Sequence, residues 1–520
     1  MARRASALAY PLLCLAPVAA QAQPVTTAAQ PPVGISQEQL LGLISRLEAL
    51  EKRNADLEAQ VEALKARPAL NPAARPAADS APTVSLANGR PTFATADGKF
   101  TASLRGVFQL DAGHYDQRAP GPLSTDYRRG SLGDAVEADH ARDLSDGANF
   151  RRARIGIEGK AFGDWNYNFL FDFGGAGVEE AGKITSAWVE YAGLSPLRLR
   201  IGAFSPPSGI EEATSSNGSL FPERASPSEV VRAIASGDGR AAAGLFANGE
   251  RWNVSGALSG NVAGVQTLDE QLAFVGRAAF TPYQAGGTVV HLGANTSLVI
   301  HPAATGPDVA PGAARPLRLR DRPEFRVDGT RLVDTGNIDA EGLSTYGLEA
   351  AAQYGAFHLQ AERYWIELER RDSALSNPDF GGWYLQGAWT ITGQPRRYGM
   401  ATATFDAPRV DRPFSLTSGA PGVWELAARY SDLDLDFEAG AFGTAPAATA
   451  VRGGRQKIVS LGLNWYPNNA VRFLADYQHV DVFRLSPGGS AFGPGALTPP
   501  AGAQVGQELN IWSFRTQYAF

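Results

Sequence analysis

Two adjoining segments in the range 150–173 alternate between apolar and polar residues with the period of a β-strand. In the first segment, Arg152 and Arg154 lie on the polar face. One face of the second segment is aromatic at every position: Trp165, Tyr167, Phe169, Phe171 and Phe173. Gly163-Asp164 separates the segments and predicts a tight turn. The pattern is typical of a barrel wall between lipid and water, with the arginines facing the lumen.

The same alternation recurs to the carboxyl end, and the connections between strands are alternately short and long. Short turns are predicted at Gly163-Asp164, Leu194-Ser195, Asn248-Gly249-Glu250, Tyr354-Gly355 and Pro467-Asn468-Asn469. The connections after Leu110, Phe204, Val299 and Arg484 are long and rich in glycine and proline. This predicts an all-β fold, an antiparallel transmembrane β-barrel of about 16 strands over residues 100–520, with both termini in the periplasm. An irregular break from Thr392 to Gly422 falls on the short-turn rim.

The amino terminus predicts export. Arg3 and Arg4 precede an apolar run, and Ala20-Gln21-Ala22 has the small-residue spacing of a cleavage site, so residues 1–22 are predicted to be a signal peptide. The single cysteine, Cys14, lies in that leader, and we expect no disulfide in the mature chain. No later segment has the roughly 20 consecutive apolar residues of a membrane helix. If the chain spans a membrane, strands must do it.

Residues 36–66 follow a heptad pattern, which predicts an α-helical coiled coil used for oligomerisation, in the periplasm. The seam consists of Leu40, Leu43, Leu47, Leu50, Asn54, Leu57, Val61 and Leu64. A lone amphipathic helix folded on its own barrel is the alternative. Residues 67–99, rich in alanine and proline at first, are predicted to be a linker and lead-in. At the other end, the amphipathic strand closing on Phe520 resembles the signal that the bacterial barrel-assembly machinery reads.

Composition restricts the classes of partner that the protein could bind, but it does not decide the fold. The hydrophobic content of 44% and the mean hydropathy of -0.18 suit a barrel and a secreted soluble protein equally. The formal charge of -6 argues against a nucleic-acid partner. Six of the 47 basic residues are lysines, leaving 41 arginines, which are well suited to binding oxyanions. The alternative explanation for the excess of arginine over lysine is GC-rich codon usage.

Several predicted strands place arginine opposite their apolar face, as at Arg105, Arg198 and Arg200; later strands add Arg429, Arg472 and Arg515. A lipid-facing arginine costs about 2 to 4 kcal/mol at the membrane midplane, so inward placement is expected. Such arginines contact anions or pair with wall carboxylates, for which Glu158, Asp172, Glu425 and Asp476 are available.

The long connections also carry arginines. In an extended segment, Arg318, Arg320 and Arg322 share one side and form a row that attracts anions. The alternative is a solvated loop that binds the phosphate groups of lipopolysaccharide. The connection from Ser205 to Asp238, which includes Arg224 and Arg232, is a candidate for an inward-folded constriction. No catalytic or metal-binding constellation is apparent, His291 and His358 are interpreted as wall residues, and no enzyme activity or cofactor is expected.

The chain resembles the phosphate-selective porin O and P family of Gram-negative outer membranes. The resemblance runs from about Phe100 to Phe520 and rests on Phe150-Arg151-Arg152-Ala153, Asp164-Trp165-Asn166-Tyr167, Ala213-Thr214-Ser215-Ser216, Glu223-Arg224, Val289-Val290-His291-Leu292-Gly293, Thr392-Gly393-Gln394-Pro395-Arg396 and Asn464-Trp465-Tyr466. It implies a sixteen-stranded trimeric barrel with an inward-folded third loop. It also implies an arginine ladder along the lumen and a phosphate site at the constriction.

By position, the constriction arginines of the family correspond to Arg151, Arg152 and Arg224, and its fifth-loop arginines to Arg318, Arg320 and Arg322. The alternation of side chains along the strand places Arg152 and Arg154 on the inward face, so the strand would need a bulge for Arg151 to point inward too. Two positions depart from the family. Glu212 stands where the family has the lysine of its phosphate site, and Thr185 stands where the family has a neighbouring aspartate. A carboxylate at Glu212 repels an oxyanion and argues against strict phosphate selectivity.

Together, these patterns predict a bacterial outer-membrane porin that passes small hydrophilic solutes by diffusion, with anions such as phosphate or polyphosphate preferred. The predicted partners are these anions, membrane lipid and lipopolysaccharide, the assembly machinery, and two further copies of the chain in a homotrimer. A general or otherwise specific pore is the first alternative. A structural or adhesive barrel tethered by its coiled coil is the alternative from another class.

Overall fold

The computed structural model describes residues 45–46, 48–53, 55–56, 82–86, 89–117, 144–175, 182–264, 269–305, 312–372, 374–488 and 501–520. Sixteen antiparallel strands form a barrel, which closes where the last strand pairs with the first, from Leu509↔Gln117 to Ala519↔Val107. This confirms the predicted antiparallel barrel of about 16 strands. Within the described ranges, no helix is long and apolar enough to cross a membrane.

The barrel strands are numbered here in chain order. They are β1 Thr101–Gln117, β2 Gly147–Ala161, β3 Trp165–Asp172, β4 Lys183–Leu194, β5 Leu197–Phe204, β6 Arg240–Asn248, β7 Trp252–Val262, β8 Leu272–Ala285, β9 Thr288–His301, β10 Ile338–Tyr354, β11 Phe357–Arg370, β12 Asp379–Thr390, β13 Val423–Phe437, β14 Val451–Tyr466, β15 Val471–Phe483 and β16 Glu508–Ala519.

The alternation along each strand assigns its side chains to the two faces of the wall. On β3, Phe169 is exposed on the outer face, whereas Asn168 and Asp172 are buried on the inner face. On β5, Leu199 is exposed outside and Arg200 lies on the inner face. The outer surface is thus apolar and aromatic, and polar side chains collect in the lumen, as a membrane barrel requires.

All five predicted tight turns join consecutive strands on one rim, and Gly286-Gly287 adds a sixth between β8 and β9. The opposite rim carries the long loops. The third of these (residues 205–239, hereafter the third loop) contains helices α1, Ile210–Ala213, and α2, Ser226–Ala235. Both helices are largely buried. The third loop therefore folds into the barrel rather than extending from it.

Hydrogen bonds fix the third loop against the far wall. The carboxylate of Glu362 on β11 accepts the backbone N–H of Ile210 at 2.8 Å. Glu324, in the loop between β9 and β10 (residues 302–337, hereafter the fifth loop), accepts the N–H of Ser226 at 2.8 Å. Because these carboxylates bind the first residues of α1 and α2, the two helices are held across the lumen.

The irregular break from Thr392 to Gly422 also folds partly into the lumen. Two short strands, Arg396–Gly399 and Thr404–Pro408, pair as a hairpin, called the inner hairpin below. Phe405 is almost fully buried, with its ring centroid 4.5 Å from that of His358 on β11. The lumen is therefore narrowed by an insertion from each rim.

Ahead of the barrel, Thr83–Ser85 pairs with Thr92–Ala94, which pairs in turn with the first residues of β1. The predicted signal peptide lies outside the described residues. Within the predicted coiled coil, residues 45–46, 48–53 and 55–56 are helical, and Leu50 is the one seam position described. Its assembly with other copies stays a prediction.

Candidate functional site

A bulge in β2 turns an extra arginine into the lumen. Gln109 of β1 lies opposite Arg152, but the next residue, Leu110, lies opposite Phe150, so Arg151 has no partner in the register. This is the bulge that an inward Arg151 requires. As a result, Arg151 and Arg152 both lie on the lumen side, with Arg154 two residues further along the strand.

Arg151 is engaged in an ion pair. Its Nε and Nη2 atoms donate to Glu223 of the third loop at 2.6 and 2.9 Å. Arg326 and Arg515 also lie 3.2 Å from this carboxylate. Burial alone would raise the pKa of Glu223, but the surrounding arginines outweigh burial and hold it well below its usual range. Arg151 thus helps to fix the third loop.

Arg152 is bound differently. It is buried, and Nη1 donates to Gln109 Oε1 at 2.6 Å, while its Nε has no hydrogen-bond partner. Among the described residues, no carboxylate lies within ion-pairing distance of it. Arg154, by contrast, contacts Asp172 at 2.7 Å and Asp238 at 2.5 Å. Arg152 therefore keeps a charge that no carboxylate of the described residues pairs with, and it lines the lumen.

Arg198 and Arg200 lie on the inner face of β5, as predicted. Nη2 of Arg200 is 2.7 Å from Glu190, and its guanidinium lies 4.1 Å from the ring centroid of Trp188. Nη2 of Arg198 donates to Asn248 at 3.0 Å. The stacking on Trp188 holds the Arg200 guanidinium in one orientation.

Glu212 is compensated by two arginines of its own loop. Its Oε2 atom lies 2.6 Å from Arg232 Nε and 3.4 Å from Arg224 Nε. Arg224 also donates to the backbone oxygens of Glu211 and Glu212. The Glu212 carboxylate is therefore not the isolated repulsive charge that the sequence alone suggested, because the opposing charges are close by.

The three fifth-loop arginines differ in their burial and in their partners. Arg318 is part-exposed and pairs with Asp334, whereas Arg322 is buried and its backbone oxygen accepts a bond from Gln456. Arg320 is exposed. Arg320–Asp321 pairs with Val333–Asp334 as two short antiparallel strands. Burial thus separates Arg322 from Arg318 and Arg320.

Two cavities occupy the lumen on either side of the third loop. The inner cavity, of about 460 Å³, is lined by seven arginines and two carboxylates. The outer cavity, of about 610 Å³, is lined by eight arginines, one lysine and four carboxylates. The residues predicted from the sequence divide between them: Arg154, Arg198, Arg200 and Arg224 line the inner cavity, and Arg151, Arg320 and Arg322 the outer. Arg318 lines neither.

Arg152 and Asp238 line both cavities. Because Arg152 lines both cavities, its guanidinium, which has no carboxylate partner among the described residues, lies where the two cavities meet. Arginines thus line the lumen through both cavities, and Arg152 lies at the junction between them. Such an arrangement raises the local concentration of anions and favours their entry.

Arg277 was missed from the sequence. It lies on the inner face of β8, 2.8 Å from Glu349, and donates to the backbone oxygens of Thr402 and Ala403 at 2.6 and 2.9 Å. Its position opposite Phe274 and Phe280 follows the same alternation as the other wall arginines. That pattern identifies its face, but the contact with the inner hairpin depends on a segment 125 residues away.

Three predicted wall arginines serve mainly as anchors. Arg429 contacts Glu211 and Glu324, and Arg472 donates to the backbone oxygen of Leu220 at 3.2 Å. Arg515 contacts Asp111 at 2.6 Å and donates to the backbone oxygen of Pro222. All three therefore bind the third loop or its neighbours, and none lines the two cavities.

His291 is hydrogen-bonded to Tyr398 at 2.8 Å and to Glu349 at 3.2 Å, so it is a residue of the barrel wall. In the described part of the chain, no group of three or more histidine, cysteine, aspartate or glutamate side chains could hold a metal ion. The polar groups of the lumen are arranged along a passage, and the fold and site are those of a membrane-spanning barrel channel.

The family model of phosphate-selective porin O and P matches residues 129–485. The chain belongs to this family and is an outer-membrane porin. It is 29% identical to Porin O of Pseudomonas aeruginosa over 379 residues, which cover 68% of this chain and 83% of that protein. It is 28% identical to an uncharacterised protein of Caulobacter vibrioides over 480 residues, or 88% and 89% of the two chains.

Solved structures of an outer-membrane protein and of a porin align with most of the chain at low sequence identity. OmpT of Vibrio cholerae aligns with a TM-score of 0.44 and 11% identity, covering 81% of this chain and 98% of its own. An anion-selective porin from Comamonas acidovorans gives a TM-score of 0.44 and 11% identity, covering 81% of this chain and all of its own.

Proposed function

We propose that this porin passes small anions by diffusion and that Arg152 contacts them at the narrow part of the lumen. The observation that carries the proposal is the placement of Arg152, without a carboxylate partner, at the junction of two arginine-rich cavities. Fixed positive charges in a narrow aqueous passage favour anions over cations without any energy source.

Phosphate is the anion that the arrangement favours. A guanidinium binds phosphate oxygens through paired hydrogen bonds, and Arg152 lines both cavities without a carboxylate partner among the described residues. The contribution of Glu212 is reduced by Arg224 and Arg232, so a carboxylate at this position is compatible with an oxyanion nearby. The description of the family as phosphate-selective supports this assignment.

The test is inhibition of chloride current by phosphate across a planar bilayer that contains the purified protein. We expect phosphate to reduce the chloride current in a saturable manner, and sulfate to do so less. If neither anion reduced the current of an anion-selective channel, the channel would be a general anion pore and the phosphate assignment would be wrong.

We further propose that the working form is a homotrimer whose coiled coil, residues 36–66, lies in the periplasm. The heptad pattern supports association of the helices. The strand Thr92–Ala94 pairs with β1 at the short-turn rim, the periplasmic rim of such barrels, which supports a periplasmic location for the preceding segment. Membrane lipid, lipopolysaccharide and the assembly machinery are its expected partners.

A further inference from the structure

The segment between the inner hairpin and β13 leaves the lumen and turns onto the outside of the barrel. We call residues 409–421 the outer turn. The ring of Phe414 meets Trp465 of β14 edge-on, with centroids 5.2 Å apart. Trp465 lies on the outer face of the wall, stacked between Trp424 at 5.3 Å and Phe473 at 5.5 Å. The outer turn therefore extends the aromatic belt of the periplasmic rim.

Several hydrogen bonds hold the outer turn in this position. Backbone N–H of Val410 donates to the side chain of Asn469 at 2.8 Å, and Asn469 donates back to Val410 at 3.1 Å. Phe414 N–H donates to the backbone oxygen of Pro467 at 2.7 Å. Both tryptophan rings donate to the backbone oxygen of Pro421. These bonds attach the outer turn firmly to the wall.

The outer turn nevertheless presents apolar surface outward. Leu416 is 87% exposed, and Phe414 is 42% exposed beside the belt. Arg409 and Arg412 are exposed in the same segment, and Arg409 is paired with Asp411 at 3.1 Å. An exposed leucine and phenylalanine, flanked by arginines and continuous with tryptophans, match the composition of segments that lie at a membrane surface.

We propose that the outer turn is a lipid-binding anchor. Leu416 and Phe414 insert among the acyl chains of the inner-leaflet phospholipids, and Arg409 and Arg412 reach the phosphate groups of the same lipids. Continuity with the lipid-facing aromatic belt favours lipid as the occupant over a second copy of the chain. Because the outer turn adjoins the inner hairpin, the anchor also fixes the base of that hairpin.

The test uses a fluorescent label at Leu416. The single cysteine of the sequence, Cys14, is replaced by serine, and Leu416→Cys is labelled with an environment-sensitive dye in the full-length porin. The matched control is Phe442→Cys, another apolar residue that is 70% exposed but follows β13 on the long-loop rim. Both proteins are reconstituted in phosphatidylglycerol vesicles with and without brominated acyl chains.

We expect the dye at Leu416→Cys to shift to shorter wavelength and to be quenched by brominated lipid, and the dye at Phe442→Cys to do neither. Replacing both Arg409 and Arg412 by glutamine should weaken the quenching. An aqueous emission spectrum at Leu416→Cys, without quenching, would overturn the proposal. So would excimer emission from a pyrene label at this position without lipid quenching, since that result indicates contact between copies of the chain.

Discussion

Neighbouring arginines of β2 differ in their partners more than in their orientation. Alternation along the strand predicted that Arg152 and Arg154 face the lumen, and both do. It could not predict which of them is neutralised, because Glu223 and Asp238, the partners of Arg151 and Arg154, are supplied by the distant third loop. Only the folded chain therefore shows that Arg152 is the one of these three arginines without a carboxylate partner among the described residues.

Replacing Arg152 by glutamine should weaken inhibition of the chloride current by phosphate. Loss of a charge-assisted hydrogen bond of about 1.5–3 kcal/mol corresponds to roughly 10-fold or more in the inhibiting concentration. Arg152→Lys should restore part of the effect. The matched control is Arg455→Gln, which removes an arginine paired with Asp432 on the outer face. Equal inhibition of the Arg152→Gln variant and the unmodified porin would show that Arg152 does not bind phosphate.

Asp321 should make the selectivity depend on pH. Burial, and then the negative charge of Glu229, raise the pKa of this outer-cavity carboxyl to about 7, against the attraction of Arg326. Below that pH the group is neutral, and above it a negative charge appears in the anion path. The preference for chloride over potassium should therefore fall as pH rises through neutrality. In Asp321→Asn the reversal potential should change less over this range; an unchanged slope would exclude Asp321 as its cause.

Two inserted elements, rather than the wall itself, define the passage. The resemblance to the family implies an inward third loop, and the connection from Ser205 to Asp238 is the candidate for it in the sequence. The sequence shows only an irregular break where the inner hairpin lies, since the position of the hairpin depends on contacts with distant residues. Arg277 of β8 binds its backbone, and Arg396 of the hairpin pairs with Glu425 of β13 at 2.8 Å. Local sequence holds no signal of such long-range contacts.

Loosening the inner hairpin should widen the channel. In Arg277→Gln, the bonds to Thr402 and Ala403 are lost and Glu349 loses its arginine partner, so we expect larger and noisier single-channel currents. Removing one member of such a buried pair costs about 3–5 kcal/mol, so folding is checked by heat modifiability on a gel. Arg397→Gln is the control, because it removes an exposed arginine of the same hairpin. Identical currents in both variants would contradict the role given to Arg277.

The barrel as a whole follows closely from the sequence. Period-two alternation, alternately short and long connections and a terminal aromatic residue were sufficient to predict a barrel of about sixteen strands, because a lipid-facing wall constrains every second residue. The terminal Phe520 closes the barrel by exchanging backbone hydrogen bonds with Gly106 at 3.0 and 3.1 Å. The coiled coil is different, since its function depends on other copies of the chain.

Deletion of residues 36–66 should destabilise the trimer without changing the pore. We expect the trimer band on a denaturing gel to dissociate at a lower temperature, because the heptad contacts between copies are lost. The conductance of each pore should be unaltered, since the barrel begins at Thr101. An unchanged dissociation temperature would mean that the helix acts alone.

The reversal potential of the purified porin in a gradient of potassium chloride is the most direct test of the central claim. Arginine-rich cavities that meet at Arg152 should let chloride pass faster than potassium, so the potential should take the sign set by chloride. In Arg152→Gln, the potential should move toward zero. A potential of the sign set by potassium would contradict the account.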